Sequence, residues 1–391
     1  MSRERKDTAG GKRLARAALL LALCVSAAPS TTSAQSVASR PAPTWRLVED
    51  LRIGDDADGP AQFGEIRGLV STKAGNIFVL DYKAMELRVF DARGKFVRLA
   101  ARRGHGPGEI ADPNGIAIGN DDVVVVSDPS NGRFSYYSAD GKYVRQVLIS
   151  ITGYGDYWNG RVDAAGRIVD VPVRVPSGGN DPRTGYPNTI DKARRIRPDG
   201  TADTVAWPRC APEPPTLVYR MRSGNATSMI VPFSPYPQTV VARQGTVWCT
   251  PSAEYRLSAG VLGGAMREVV HVNAVPLAIG ASERNAAIAR LDSFAVKLQV
   301  TLVSGDAKAL PKSHPVISRL LVDDDGRAWV ARSDLKLPFA MDVFAPTGQQ
   351  LAQLRGPYQL GTVVQIGPST ILTAIDNADG VPVVVRYRIV R

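Results

Sequence analysis

The sequence predicts an all-β protein, a six-bladed β-propeller of four-stranded antiparallel blades with one inserted amphipathic helix. Three observations predict it. A signature Gly-Pro-x-(Gln/Glu)-apolar occurs at Gly59–Phe63, Gly106–Ile110 and Gly356–Leu360. An offset of 47 carries the first copy onto the second, and also Gly68 onto Gly115, Asp81 onto Asp128, Gly94 onto Gly141 and Arg98 onto Arg145. A fixed period of this size marks one supersecondary unit stacked many times. Finally, the last unit runs out of chain one strand short, while an orphan strand-like run, Trp45–Leu51, stands near the start.

Each unit reads as four short runs of β-branched, aromatic and aliphatic residues between turn residues. Unit one has Gly68–Val70, Gly75–Asp81, Leu87–Phe90 and Gly94–Arg98; unit two has Gly115–Ile118, Val123–Asp128, Phe134–Tyr137 and Tyr143–Val147. Asp140-Gly141 between the last two runs is a tight-hairpin signal. Four strands in 40–50 residues is the size of a propeller blade. Fainter copies follow. Unit three covers 161–200 with a Pro/Gly-rich insertion, unit four 239–257, unit five 317–354 and unit six 363–389. Trp45–Leu51 supplies the fourth strand of unit six and closes the ring, which removes exposed sheet edges.

One segment breaks the period of two. From Ser282 to Val300, residues Ile288, Leu291, Phe294, Ala295 and Leu298 recur at helical spacing, with Ser282 as the expected N-cap. The reading is a helical insertion at about 281–300, packed on the side of the ring or forming a lid.

Outside the ring, residues 1–34 read as a signal peptide: a cationic start from Arg3 to Arg16, the apolar run Ala17–Val25, and Thr32-Ser33-Ala34 before a cut at Gln35. Cys24 leaves a lipoprotein anchor open, although Leu23 is bulky where a small residue is expected. Residues 35–43 read as a disordered linker and 44–391 as the propeller. No later run has the ~20 unbroken apolar residues of a membrane helix. The expected protein is exported, periplasmic or secreted, and monomeric. Without the leader, 42 basic against 35 acidic residues leave a net charge of +7, a magnitude that serves solubility. No basic run or basic-aromatic stripe points to nucleic acid. Cys210 and Cys249 either pair, as an oxidising compartment permits, or stay buried as free thiols.

The strong units resemble the NHL-type repeat of six-bladed β-propellers. The residues that carry the likeness are Gly106–Pro113, the Asp128-x-x-Asn131-x-Arg133 stretch and the Asp140-Gly141-Lys142 turn. Unit one keeps Gly59-Pro60, Asp81 and Gly94-Lys95 but has Ala84 and Glu86 where unit two has Asn131 and Arg133. The resemblance implies the fold. It leaves the activity open, because such propellers include scaffolds, peptide or protein binders, and a minority of enzymes such as amidating lyases and lactonases.

Strand order fixes two faces. Hairpins such as Asp140-Gly141, Asp199-Gly200 and Asp325-Gly326 mark one; the Gly-Pro loops and the second-to-third-strand turns mark the other. Long connections carry function more often than tight turns, so the Gly-Pro face is the expected binding face. Arg102, Arg103 and His105, with Lys83 and Arg133 from the neighbouring turns, are the candidate binding residues, suited to a carboxylate or phosphate. Asp81 and Asp128 recur once per unit and are expected to tie their own turns. The three histidines, His105, His271 and His314, have no zinc-ligand spacing, and no Gly-x-Ser-x-Gly elbow occurs. The expected function is a binding module for an anionic protein, peptide or glycan ligand, without cofactor. The alternative is a lactonase-like hydrolase or lyase, with Ca²⁺ held in the channel by some of Asp163, Asn225, Asn273, Asp323 and Asp376.

Overall fold

The computed structural model describes residues 42–55, 59–151, 157–335, 337 and 339–391. The leader, Cys24 and most of the 35–43 linker lie outside the described residues. Within them, six antiparallel sheets form the blades of a ring. Blade one is Ile66–Ser71, Ile77–Asp81, Glu86–Phe90 and Phe96–Ala101; blade two is Gly115–Ile118, Val124–Asp128, Arg133–Tyr137 and Tyr143–Leu148. Blade three is Arg161–Val162, Ile168–Asn180, Pro187–Ile196 and Ala202–Ala206; blade four is Gln238–Val241, Thr246–Thr250, Tyr255–Val261 and Met266–Val272. Blade five is Ile317–Val322, Ala328–Arg332, Ala340–Phe344 and Gln350–Arg355; blade six is Val364–Ile366, Thr370–Asp376 and Pro382–Val390.

The period-two pattern decides the packing. Successive side chains of a strand point to opposite faces, and in a ring both faces are covered. In blade one, Ile77 and Val79 enter a core shared with Leu372 and Val384 of blade six. Phe78 and Leu80 enter the core shared with Ile118, Val124 and Val126 of blade two. The second strands therefore read as continuous apolar runs. Close approach of the inner strands requires the repeated glycines: a Cβ on Gly68 would stand 2.3 Å from Ile116 Cγ2, and one on Gly115 2.8 Å from the Trp158 carbonyl oxygen. The seam between blades three and four is the least packed. Its core has three buried residues, Val169, Val171 and Ala193, with Val205, Trp207 and Leu262 only partly covered.

Ring closure follows the sequence expectation. Thr44–Ile53 pairs antiparallel with Pro382–Val390, with Leu47 opposite Ile389, and runs parallel to blade five through Thr44 and Trp45. A bulge between Glu49 and Leu51 shifts the register, and a one-residue shift exchanges faces. Trp45 and Leu47 thus enter the core between blades five and six, whereas Ile53 enters the core between blades six and one.

Two expectations are corrected. The Pro/Gly-rich insertion of unit three is part of a long β-ribbon, Ile168–Asn180 with Pro187–Ile196, whose register shifts at Asp170/Val173 and Pro176/Asn180 absorb the irregular residues. The helix spans Ala281–Leu298, and its N-cap is Gly280 rather than Ser282, with no side-chain cap bond. It packs neither on the side of a blade nor as a free lid. A separate sheet, Ala226–Ile230, Thr216–Arg220 and Thr301–Ser304, receives it. Ala287 and Leu291 are buried there with Leu217 and Tyr219, Phe294 stacks edge-on against Tyr219 at 5.3 Å, and Leu298 faces solvent. No described helix is long and apolar enough to cross a membrane.

Candidate binding channel

The expected binding residues divide by role. Arg133 is 4% exposed. Its guanidinium donates to the carbonyls of His105, Gly106 and Glu109 at 3.2, 2.7 and 2.7 Å and to Gln146 Oε1 at 3.0 Å. It holds the Gly-Pro loop in shape and turns no donor outward. Asp128, fully buried, accepts from the backbone N–H groups of Ala111 and Asp112 and from Asn131 Nδ2; Asp81 does the same for Gly64, Glu65 and Ala84. These recurring aspartates therefore join the second-to-third-strand turn to the Gly-Pro loop. Arg102, Arg103, His105 and Lys83 are exposed. Arg102 Nε lies 3.3 Å from Glu109 Oε1, and His105 Nδ1 lies 2.7 Å from Asn131 Oδ1. The Glu109 carboxyl is held below its usual range, first by the Gly106 N–H and then by Arg102. These four residues follow an outermost strand or cap a middle turn, so they stand on the rim of the face.

The centre of the ring is a cavity of about 860 Å³ lined by the innermost strands of the blades. That volume lies within the ~300–1,000 Å³ of small-ligand sites. The long ribbon of blade three and the appended sheet extend its wall: Asp191, Arg174, Glu213 and Ile230 all face it. The ribbon reaches the sheet through Arg183, whose Nη1 is 3.4 Å from Thr216 Oγ1.

Six arginines line the cavity: Arg67, Arg161, Arg174, Arg209, Arg243 and Arg319. Three carboxylates share the lining, those of Asp191, Glu213 and Asp324; Asp323 belongs to it with its carboxylate turned away and covered. At the Gly-Pro mouth, Arg67 bonds Glu65 Oε1 at 2.7 Å and stacks over the Tyr82 ring, 3.1 Å from its centroid. The Tyr82 hydroxyl is pushed above its usual pKa, chiefly by its hydrogen bond to Asp112. Arg319 donates to the carbonyls of Gly361 and Thr362 across the seam to blade six, and burial lowers its pKa. Arg209 pairs with Asp191 at 2.8 Å and with Glu213.

The hairpin end is laced across. Ala164 N–H donates to the Arg243 carbonyl, and Asp324 N–H to that of Ile366. Arg243 reaches Asn120 Oδ1 at 3.3 Å and Asp324 Oδ1 at 3.3 Å, Gln244 donates to the Asp324 carbonyl, and Lys73 donates to that of Asn120. These bonds link blades one to two, two to four, three to four, four to five and five to six. They brace the hairpin end of the cavity, its floor. Burial raises the Asp324 pKa, against the pull of Arg243.

The residues proposed for Ca²⁺ do not assemble. Asp163 and Asp323 turn back on their own hairpins, each accepting an arginine Nε (Arg167 at 2.8 Å, Arg327 at 2.6 Å) and two backbone N–H groups. Asn225 sits in the turn of the appended sheet, and Asn273 and Asp376 are exposed beyond blade four and at a strand end of blade six. Among the described residues no group of three or more His, Cys, Asp or Glu is placed to hold a metal. Cys210 and Cys249 are joined in a disulfide, with Cα atoms 6.0 Å apart. The channel arginines escape sequence reading because they lie far apart in the chain, Arg67, Arg161, Arg174 and Arg319 in strands and Arg209 and Arg243 in connections. Only register alignment of the blades exposes them.

A family model described as a 6-bladed β-propeller matches residues 61–151. No curated protein matches the chain. Solved structures with similarity include virginiamycin B lyase from Staphylococcus aureus, at 12% identity over 88% of this chain and 99% of that one, TM-score 0.43. A duf4221 family member from Bacteroides vulgatus is 11% identical over 88% and 98%, TM-score 0.47. A gluconolactonase from Xanthomonas campestris is 14% identical over 90% and 98%, TM-score 0.37. Likenesses this distant carry no information on what the chain binds or catalyses.

Proposed function

We propose that this six-bladed β-propeller is an exported binding module whose ligand is anionic and enters the central channel from the face carrying the Gly-Pro loops. The observation that carries the reading is the lining of that channel, to which six arginines and four acidic residues belong, the Asp323 carboxylate turned away. Arginine suits the task because its planar fork matches carboxylate and phosphate oxygens bidentately. The rim residues Arg102, Arg103, His105 and Lys83 extend the cationic surface outward, for a ligand longer than the channel is deep. Export is supported by the cationic and apolar start of the chain and by a disulfide, which persists in oxidising compartments.

Calorimetric titration with short acidic oligomers, oligoglutamate and oligohexuronate, beside uncharged oligomers of equal length, tests this. Saturable binding by an anionic series, weakening as salt rises, supports it. Arg67→Ala is expected to lower affinity about 10-fold, the value of one charge-assisted contact. Equal binding of charged and uncharged oligomers refutes it, as does conversion of the ligand to product during the titration.

A further inference from the structure

The pairing register puts one residue of each innermost strand in an equivalent place. Val70 faces Phe78, Ala117 faces Val125, Arg161 faces Val169, Val240 faces Trp248, Leu321 faces Trp329, and Gln365 faces Leu372. Four of the six are apolar. Gln365 accepts the Ser71 N–H at 2.7 Å and so joins blade six to blade one. Arg161 alone is charged, and it falls at the seam between blades three and four, where the core is thinnest.

Arg161 lines the cavity, half-buried. Among the described residues it makes no hydrogen bond and no ion pair. Asp324 and Arg243 act on it through space, one favouring its charge and the other opposing it. Asp324 is already paired with Arg243 at 3.3 Å, and Asp323 beside it is paired with Arg327 at 2.6 Å. The channel floor thus holds the guanidiniums of Arg161 and Arg243 and the carboxylate of Asp324, a net charge of +1 over these three groups when all are ionised. Its surplus donors, those of Arg161, are left to whatever fills the channel. A charge in a slot that four other blades fill with apolar side chains gives up packing, and a residue that breaks an apolar pattern at a cost to packing marks a functional position.

Building on the anion-binding reading above, we infer that the floor of the channel is a subsite for a single carboxylate, held by the fork of Arg161. A monoanion cancels the +1. A phosphate dianion overcompensates it and meets the Asp324 carboxylate. Above the floor, Trp207, Tyr157 and Tyr236 contribute rings to the lining and form no ring–ring pair among the described residues. Such rings cover the CH face of a sugar, with Arg174 beside them for polar contact. The ligand class is a sugar acid, or the acidic end of a chain of them.

Glucuronate, glucose and glucose 6-phosphate share one ring and differ in charge, so calorimetry with the three reads the subsite directly. Glucuronate is expected to bind at least ~10-fold more tightly than either of the others. Arg161→Ala should lower its affinity at least ~10-fold, and Arg161→Lys, which keeps the charge but loses the fork, should fall between. The Arg102→Ala/Arg103→Ala double variant, on the rim, should lower glucuronate affinity by less than Arg161→Ala does. Arg161→Leu places in blade three what Leu321 is in blade five. It should abolish binding and raise the melting temperature of the ligand-free protein, the sign of a residue kept for function rather than stability.

Undiminished glucuronate binding by Arg161→Ala overturns the subsite. So does a preference for the phosphate, or a melting temperature lowered by Arg161→Leu. Should the rim variant lose binding while Arg161→Ala keeps it, the anion-binding reading stands and the subsite falls. Absence of saturable binding by glucuronate below ~10 mM, together with failure of the acidic oligomers, brings down both.

Discussion

Closure of the ring by Thr44–Ile53 can be tested with one methyl-scale perturbation and one control. Leu47 is 6% exposed in the core between blades five and six, beside Ile389. Val48, the next residue, is 41% exposed on the same strand. Truncating a buried leucine to alanine costs about 2–5 kcal/mol through lost transfer energy and the cavity left behind, while an exposed site costs within ~0.5 kcal/mol. Converting to temperature needs the unfolding entropy, about 2.1 cal/mol/K per residue. Over the unit Ala42–Arg391 that is roughly 0.7 kcal/mol/K, so each kcal/mol shifts Tm by about 1.4 °C. Leu47→Ala should therefore lower Tm by about 3–7 °C and Val48→Ala by less than ~1 °C, read by calorimetry or circular dichroism. Deleting Asp50, the bulge residue, leaves Leu51 opposite Arg386 and Ile53 opposite Val384 and removes the 2.9 Å bond from Arg386 Nε, so it should do less than Leu47→Ala. A chain starting at Asp55 should aggregate through the bare edge of Pro382–Val390. Equal Tm shifts for Leu47→Ala and Val48→Ala, or a truncated chain that melts like the parent, would show that the strand does not close the ring.

Three further outcomes are expected. Loss of the Cys210–Cys249 bond, which encloses a sequence separation of 39, should cost about 4 kcal/mol of chain entropy. A Cys→Ser double variant should then melt ~5 °C lower, and non-reducing mass spectrometry of the parent should give one crosslinked peptide and no alkylatable thiol. Asp342, 2% exposed, accepts from Tyr255 at 2.7 Å, Arg332 at 3.1 Å and Arg355 at 2.7 Å; Asp342→Ala leaves Arg332 to Asp334 and Arg355 to the Met341 and Leu354 carbonyls, and should cost about 1–3 kcal/mol in denaturant unfolding. Burial drives the hydroxyl pKa values of Tyr137 and Tyr255 far above 10.0. The folded state then holds protons the unfolded state releases, so stability is intact below pH ~10 and falls as pH rises beyond it. Ultraviolet absorbance should show these two phenols ionising only together with unfolding; early ionisation in the folded state would contradict their burial.

The parts of the fold legible in the sequence were those where one residue type has one physical reason to be there. Gly68 and Gly115 recur because no Cβ fits between adjacent inner strands. Asp81 and Asp128 recur because each blade needs the same turn tied to the same loop. The orphan strand was legible because a ring leaves no place for an unpaired edge. Elsewhere the local signal was ambiguous. Pro176, Gly178 and Gly179 read as loop, yet they lie in the ribbon, where shifted register accommodates residues that an ordinary ladder would reject. Thr216–Arg220 and Ala226–Ile230 pair as a local hairpin, but what completes and covers it lies far along the chain: the helix at 281–298 and the strand Thr301–Ser304. At the helix start, Ser282 has the right chemistry for a cap, but the chain enters the first turn two residues earlier, at Gly280.

The same contrast separates the two cationic groups. Arg102, Arg103 and His105 are conspicuous in sequence because they cluster in a glycine-rich loop, and they stand exposed to water, where a charge costs little and marks little. Arg161 is inconspicuous because blade three begins with a strand of only two residues, too short to align by eye. Its meaning appears only when the register sets it against Val70, Ala117, Val240 and Leu321. A charge in a slot that the other blades fill with apolar side chains weakens the adjoining seam, and that seam is the one whose core is reduced to three buried residues. Five blades are therefore packed for stability at this position. The sixth position is charged, and it lies where the long ribbon and the appended sheet widen the cavity. Thin packing, an unpaired guanidinium and added walls coincide at one side of the ring, which is where a ligand would restore what the seam lacks.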